Sequence, residues 1–469
     1  MTKKLIQMKK LHIIFTLLFG VAVLLFFGLA YPHHLHYQEQ YQLFLFDSTY
    51  MWDIVSKPGG VADLLGRFCT QFFLFAWVGA AIIAVLLSAV QLLTLRLSLL
   101  TFNFSLFTLY GLTFVPSFLL WLFLLDENAL LGGVWAVLFT LLALWLFVKL
   151  PKGWTRRIAI IVTIPILYYM VGPDWNGSHY HRYPTVVPTL LYAAWLSALL
   201  LPLLVRILWR HKTLKSQNVI TALLCALCFL CGLCAIWKNA NFKAEKVMQY
   251  DFMACHQQWN RILETVNAEK PNNQIGVTVQ NLALAMHGML ADHLFDYNQN
   301  GLAGLLPDVQ SDATSPMPTA EAFYQLGMIN VAQRTVFEAQ EAILDFQKSG
   351  RCYKRLAQTN LINGSYEVAR KYLTALQKTL FYRDWANETL PLLGNEEAIA
   401  KHPEYGRLRQ WAYKDEFYFS DHVTPEMLES LFYGNTENRL AFEYLKAYYM
   451  LTNDREGYNT LLLKISTEQ

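Results

Sequence analysis

The chain has 469 residues and a formal net charge of +3, with 54% hydrophobic and only 16% charged residues, against about 25% charged in a typical soluble domain. Residues 1–237 hold 16 Lys/Arg and 7 Asp/Glu, whereas residues 238–469 hold 22 Lys/Arg and 28 Asp/Glu. That split excludes a single soluble enzyme, a disordered chain and a disulfide-rich secreted module, and the acidic second half excludes a nucleic-acid binder because phosphate would repel it. The predicted fold is all-α: a transmembrane domain over 1–237, then a helical-repeat domain over 238–469.

Lipid leaves backbone polar groups unsatisfied, so a span needs about 20 apolar residues in helix. Seven runs meet that description, at about 11–31, 68–94, 102–125, 129–149, 157–173, 186–209 and 218–237. The fifth is the shortest. The first is too long for a signal-peptide core, and GLAYPHH offers no small-x-small cleavage site, so an uncleaved first helix is expected. With the N-terminus inside, the inner side carries thirteen Lys/Arg and the outer loops three: Lys57, Arg67 and Arg182. The positive-inside rule favours that orientation. Seven spans are an odd number, which predicts that residues 238–469 lie outside the cytoplasm.

The first outer loop, 31–67, is long. EQYQLFLFDSTYMWDIV is aromatic-rich, and Pro58-Gly59-Gly60 breaks it before VADLLGRF. Two short helices at headgroup depth fit this pattern. On the same outer side stand His33, His34 and His36, with His179 and His181 in a later loop and Glu39 and Asp174 as nearby carboxylates. Imidazoles are common metal ligands, but interfacial histidine is the plainer expectation.

In the last span, Cys225, Cys228, Cys231 and Cys234 read C-x2-C-x2-C-x2-C, which as a string suggests an iron–sulfur cluster. Steps of three residues drift round a helix, so four thiolates cannot converge. A packing stripe of small residues is expected instead.

From Lys238 onward helical periodicity dominates. Leu356-Ala357, Gly364, Ala369 and Leu373 stand at offsets that resemble the tetratricopeptide repeat, with Gly364 at the turn and Ala369 at a close helix approach. Leu326-Gly327 and Ala339 give a second register, 30 residues earlier, and AFEYLKAYYMLTNDREGYNTLLL a third. Stacked helix pairs make concave surfaces suited to a protein or peptide partner. Residues 296–318 are expected to form an irregular insert. Within it Asp296, Asn298, Asn300 and Gly301 read as half of an EF-hand loop, but its twelfth position is Pro307, so an Asx-Gly turn is expected. Cys255 and Cys352 are the only cysteines after the membrane half. An oxidising periplasm permits a disulfide, but nothing in their spacing supports one.

The runs EQYQLFLFD, PGGVADLLGRFCTQFF, SPMPTAEAFYQLG and RCYKRLAQTNLINGSYEVARKYL resemble an uncharacterised family of bacterial multi-pass inner-membrane proteins. The resemblance spans nearly the whole chain and implies a bacterial inner membrane, without an activity, substrate or catalytic residue. The arrangement of spans, outer loop and outer C-terminal domain also resembles the GT-C glycosyltransferases, which use lipid-linked sugar donors. That resemblance implies a catalytic Asp47 or Asp53 and a divalent cation at Asp126 and Glu127. The chain departs from it where Tyr31-Pro32-His33-His34 follows the first helix and where Asp126-Glu127-Asn128 replaces Asp-x-Asp. The leading expectation is a membrane-anchored scaffold or envelope-assembly factor. A GT-C-like transferase is the alternative. A transporter comes third, because the spans lack mid-membrane charges.

Overall fold

The computed structural model describes residues 2–101, 107–151, 153–172, 189–208, 217–308, 315–343, 347–413 and 424–468. Among them every regular element is helical, and the sole β pairing is an isolated bridge between Asn300 and Leu302. The chain divides into two compact units, 1–245 and 246–469.

Unit 1 opens with α1 (Thr2–Leu25), prolonged by one π turn over Phe26–Ala30. Three short helices follow, α2 (Pro32–Glu39), α3 (Ser48–Val55) and α4 (Gly60–Thr70). Then come α5 (Ala76–Thr101), α6 (Val115–Phe123), α7 (Leu131–Lys149) and α8 (Trp154–Met170). The unit ends with α9 (Thr189–Leu208), α10 (Gln217–Asn239) and the first turn of α11 (Phe242–Cys255).

The seven expected spans are too many. Among the described residues three helices are long and apolar enough to cross a membrane: His12–Ala30, Ala76–Leu100 and Leu131–Lys149. A fourth arises only if Cys225–Asn239 and Phe242–Cys255, bent by 59°, count as one. Apolar runs overstate helix length. The run 102–125 breaks where the 3-10 segment Phe107–Phe114 hands over to α6 at Val115-Pro116. Proline cannot donate to the turn before it, and the nine residues of α6 reach only about 14 Å of the roughly 30 Å needed. Helix α8 has 17 residues with Pro165 inside. The candidate spans number three or four, so parity no longer assigns residues 238–469 to one side.

Two interfacial helices were expected in the first outer loop and three form. The addition, α2, is enclosed rather than interfacial: His34, Leu35, Tyr37, Gln38 and Glu39 are all buried. The last of the three, α4, lies close against α7. A Cβ on Gly66 would sit 2.4 Å from the backbone nitrogen of Gly132, so only glycine permits this approach. Aromatic rings fill the space between α1, α6 and α10, with Phe19 edge-on to Phe118 at 5.2 Å and Phe114 to Phe229 at 4.9 Å. The α10 cysteines point in different directions, as the helical drift requires. Cys225 is buried, Cys228 Sγ donates to the Gly111 carbonyl at 3.1 Å, and Cys231 and Cys234 are exposed.

Unit 2 continues from α11 through α12 (Trp259–Glu269), α13 (Gln274–Met286), α14 (Pro316–Leu326), α15 (Ile329–Ala342), α16 (Gly350–Ile362) and α17 (Tyr366–Leu376). It closes with α18 (Arg383–Thr389), α19 (Glu396–Lys401), α20 (Tyr405–Trp411), α21 (Thr424–Gly434), α22 (Arg439–Thr452) and α23 (Arg455–Glu468). Successive helices from α14 to α17 pack on one another.

The internal register differs from the expected 30-residue offset. Gly327 is not inside a helix but ends α14 with φ +91°, and Met328 N donates back to Phe323 O at 2.9 Å. Gly364 ends α16 in the same way, with φ +77° and Ser365 N donating to Asn360 O at 2.8 Å. This is the six-to-one bond of a glycine-capped helix end. Aligned on these glycines the pairs repeat at 37 residues, which sets Ala332 on Ala369 and Val336 on Leu373, all fully buried. The third register ends α22 by the same bond, from Asp454 N to Tyr449 O at 2.9 Å, with Asn453 at φ +56°.

The face that stacked pairs would leave open is filled by the chain itself. All residues of α14 are buried. Tyr324 Oη donates to Glu404 at 2.9 Å, just ahead of α20, and Asn438 Nδ2, at the start of α22, donates to the Leu326 carbonyl at 2.9 Å. Of the expected insert 296–318, the described residues up to 308 are irregular yet packed, with Leu305 and Leu306 buried in the same core, whereas Pro316 already opens α14.

Candidate functional site

Helix α2 begins with backbone N–H groups that have no intrahelical acceptor. Glu245 supplies one, accepting from His33 N at 2.7 Å and His34 N at 2.8 Å. Burial pushes its carboxyl up to about 7, while the two N–H donors pull the other way. His34 Nε2 lies 2.9 Å from the Leu124 carbonyl, which can only accept, so Nε2 carries the proton. Its Nδ1 is buried without a partner. The Tyr31 ring lies tilted 4.7 Å from the His34 ring, and its Oη accepts from Asn241 N at 3.2 Å. Gln38 Nε2 donates to the Asp126 carbonyl at 3.2 Å. These bonds join α2 to the turn after α6 and to the start of α11. A carboxyl, an imidazole and a phenol meet here, but Tyr31, His34 and Glu245 are 1%, 0% and 6% exposed. No substrate reaches them, so the constellation is a structural clasp.

The carboxylates expected at a sugar-transfer site do not converge into a metal centre. Asp47 caps α3, with Oδ1 accepting from Thr49 N and Tyr50 N at 3.1 Å each. Asp53 is exposed on α3 beside Trp52, itself 70% exposed. Asp126 Oδ1 accepts from Asn128 N at 2.8 Å. Glu127 is half-buried, and burial first, then Asp126, raises its pKa. Arg67 is neutralised by Asp63 through a two-pronged contact at 3.0 and 2.7 Å. Among the described residues no group of three His, Cys, Asp or Glu could hold a metal ion. His33 and His36 meet through their Nδ1 atoms at 3.4 Å. Asp174, His179 and His181 lie outside the described residues.

Unit 2 holds a charged network that the sequence reading missed. Arg351 Nη2 donates to Asp251 Oδ1 at 2.8 Å, with a second bond to Oδ2. Arg355 donates to Glu321 and lies 3.7 Å from the Tyr324 ring centre. Glu321 Oε1 accepts from Gln325 Nε2 at 2.9 Å, and Gln325 Oε1 from Arg407 Nη2 at 3.3 Å. Glu321 and Arg351 are only 2% and 8% exposed. The signal was available in RCYKR, three cations within one turn and a half of a helix that the repeat pattern buries.

The remaining expected sites resolve into structure. Cys255 and Cys352 are both free thiols. Burial raises both, Cys352 to about 11, so neither is a nucleophile near neutral pH. The half EF-hand spends its side chains elsewhere. Asp296 pairs with His293 at 2.8 Å, Asn298 Nδ2 donates to the Lys270 carbonyl at 3.1 Å, and Asn300 Nδ2 to that of Asn272 at 3.1 Å. A separate open cleft of about 450 Å³ is lined by Phe295, Tyr449, Met450, Asp454, Arg455 and Tyr458, among others.

No curated protein and no solved structure matches the chain. One family profile matches over residues 7–176 and 173–467, which together cover nearly the whole length. The chain belongs to that family, a family of unknown function (DUF6057).

Proposed function

We propose that this is a membrane-anchored interaction protein. Residues 246–469 act outside the cytoplasm of a bacterium as a tetratricopeptide-like scaffold or envelope-assembly factor for a protein partner. The observation that carries this reading is the Phe295 cleft. Aromatic, Met and Arg side chains are the groups enriched at interface centres. Phe295 stands 66% exposed above Tyr449 and Tyr458, although nothing in the irregular segment requires an apolar side chain at its surface. Four Lys precede the first candidate span and only Lys57 and Arg67 stand between it and the second, which supports an inside N-terminus.

Site-specific photo-cross-linking in native membranes tests this. A cross-linking phenylalanine analogue at position 295 is expected to give one discrete adduct, and one at Val368, also exposed on α17, none. Adduct at neither position, or equal smears at both, would defeat the partner-binding role of the cleft.

The alternative is a GT-C-like transferase. One observation favours it: with Asp47 spent on the α3 cap, Asp53 is left as a carboxylate with no hydrogen-bond partner among the described residues, beside an exposed Trp52 on an amphipathic helix. A sugar transferase needs such a carboxylate to orient or deprotonate its acceptor. Asp53→Asn should then abolish a cellular phenotype at unchanged membrane level and melting temperature. A phenotype that survives Asp53→Asn, alone and combined with Asp47→Asn, leaves the scaffold reading standing.

A further inference from the structure

A groove of about 640 Å³ lies between the first half of α1 and the ends of α5 and α7. Its walls are Ile13, Leu17, Leu92, Leu95, Leu99 and Leu100, most of them exposed. At its rim stand Arg96 and Lys149. Lys149 Nζ lies 3.7 Å over the Trp145 ring, and neither cation has an ion-pair partner among the described residues. On the floor Thr16 Oγ1 donates to Gln91 Oε1 at 3.0 Å.

The residues that line this groove include no carboxylate. All seven carboxylates of residues 1–237 are Glu39, Asp47, Asp53, Asp63, Asp126, Glu127 and Asp174. Those preceding α5 and α7 lie before the helices begin, whereas Arg96 and Lys149 stand near their ends. At 1.5 Å per residue that separation is roughly 30 Å, several times the screening length of about 10 Å. The six described carboxylates of residues 1–237, all ahead of α5 or α7, therefore stand too far away to neutralise the two cations.

We propose that the groove binds an anionic phospholipid, with the headgroup phosphate between Arg96 and Lys149 and an acyl chain along the leucine walls. Two cations without a carboxylate partner favour an anion, and exposed apolar walls on candidate membrane helices favour an acyl chain. A water-soluble anion would leave those walls empty, and a zwitterionic lipid would bring its own ammonium up against the two cations.

The test uses the full-length chain in detergent micelles, with native mass spectrometry of bound lipid during titration with phosphatidylglycerol or phosphatidylethanolamine. The expected result is saturable phosphatidylglycerol binding and weak phosphatidylethanolamine binding. Each basic side chain near a lipid headgroup contributes such that Arg96→Gln or Lys149→Gln weakens phosphatidylglycerol roughly fivefold and the double substitution about thirtyfold. Arg157→Gln on α8 removes a cation from outside the groove and should leave affinity unchanged. Leu17→Trp fills the wall without touching charge and should weaken phosphatidylglycerol as well. Equal losses from Arg157→Gln, unaltered binding in the double variant, or equal affinity for the two lipids would overturn the proposal. Displacement of the lipid by inorganic phosphate alone would assign the cations to a free anion and overturn it too.

Discussion

Glu321→Leu is expected to destabilise residues 246–469 by about 3–5 kcal/mol, because it leaves a buried guanidinium uncompensated. Arg355 loses its carboxylate, and its ring contact with Tyr324 at 3.7 Å is too weak a substitute; a cation over an aromatic face is worth about 0.5–2 kcal/mol. Gln325, whose amide donates to Glu321 at 2.9 Å, loses an acceptor as well. Paired apolar replacement behaves differently, since exchanging both charges for well-packed side chains is often neutral. Glu321→Leu with Arg355→Met should therefore recover most of the loss. Urea unfolding of a 246–469 fragment, followed by circular dichroism, measures both. Equal destabilisation by the single and the double substitution would show that the pair contributes net attraction beyond mutual neutralisation. A small effect from Glu321→Leu alone would show that Arg355 finds water.

The parts of this architecture that were legible in the sequence are those set by local chemistry. Apolar run length announced the membrane half, and the described part of each run is mostly helical, but only three runs give a helix long and apolar enough to cross a membrane. The glycine turn at Gly364 was legible because only a residue free of a Cβ settles readily at φ +77°. The same logic failed one repeat earlier through alignment, not physics. Leu326-Gly327 imitates the Leu-Ala pair of α16 in composition, but Gly327 ends its helix and corresponds to Gly364. Long-range pairing was not legible at all. Nothing near Glu245 announces that its partners are the backbone nitrogens of His33 and His34, more than two hundred residues earlier. Asp47 was legible as a candidate carboxylate, but Asp-Ser-Thr ahead of an apolar stretch is also a helix-capping signal. In the structure the cap is what it forms.

His34 is the residue whose contribution depends most on pH. Its imidazole is fully buried, and burial lowers its pKa from 6.5 to about 4. The cause is visible in the geometry: a proton added at Nδ1 would meet no acceptor, while Nε2 already donates to Leu124. The folded protein thus refuses a proton that the unfolded chain accepts below pH 6.5. Stability from this group is complete above that value and is lost as pH falls toward 4. The loss amounts to about 3 kcal/mol, because a tenfold change in proton affinity is worth about 1.4 kcal/mol. Glu245 and Glu127 act with the opposite sign, because their raised pKa values favour the protonated, folded form as pH falls. The wild-type profile is therefore a poor readout, and the difference from a variant is the sound one. His34→Gln keeps a donor for Leu124 and removes the titration, while Glu245 and Glu127 remain common to both proteins. In detergent micelles, wild type should be the more stable protein near pH 7.5, and the gap should shrink or reverse by about pH 4.5. A gap that stays constant across that range would mean that His34 takes up its proton as freely in the folded state as in the unfolded one, and the enclosed clasp around α2 would have to be abandoned.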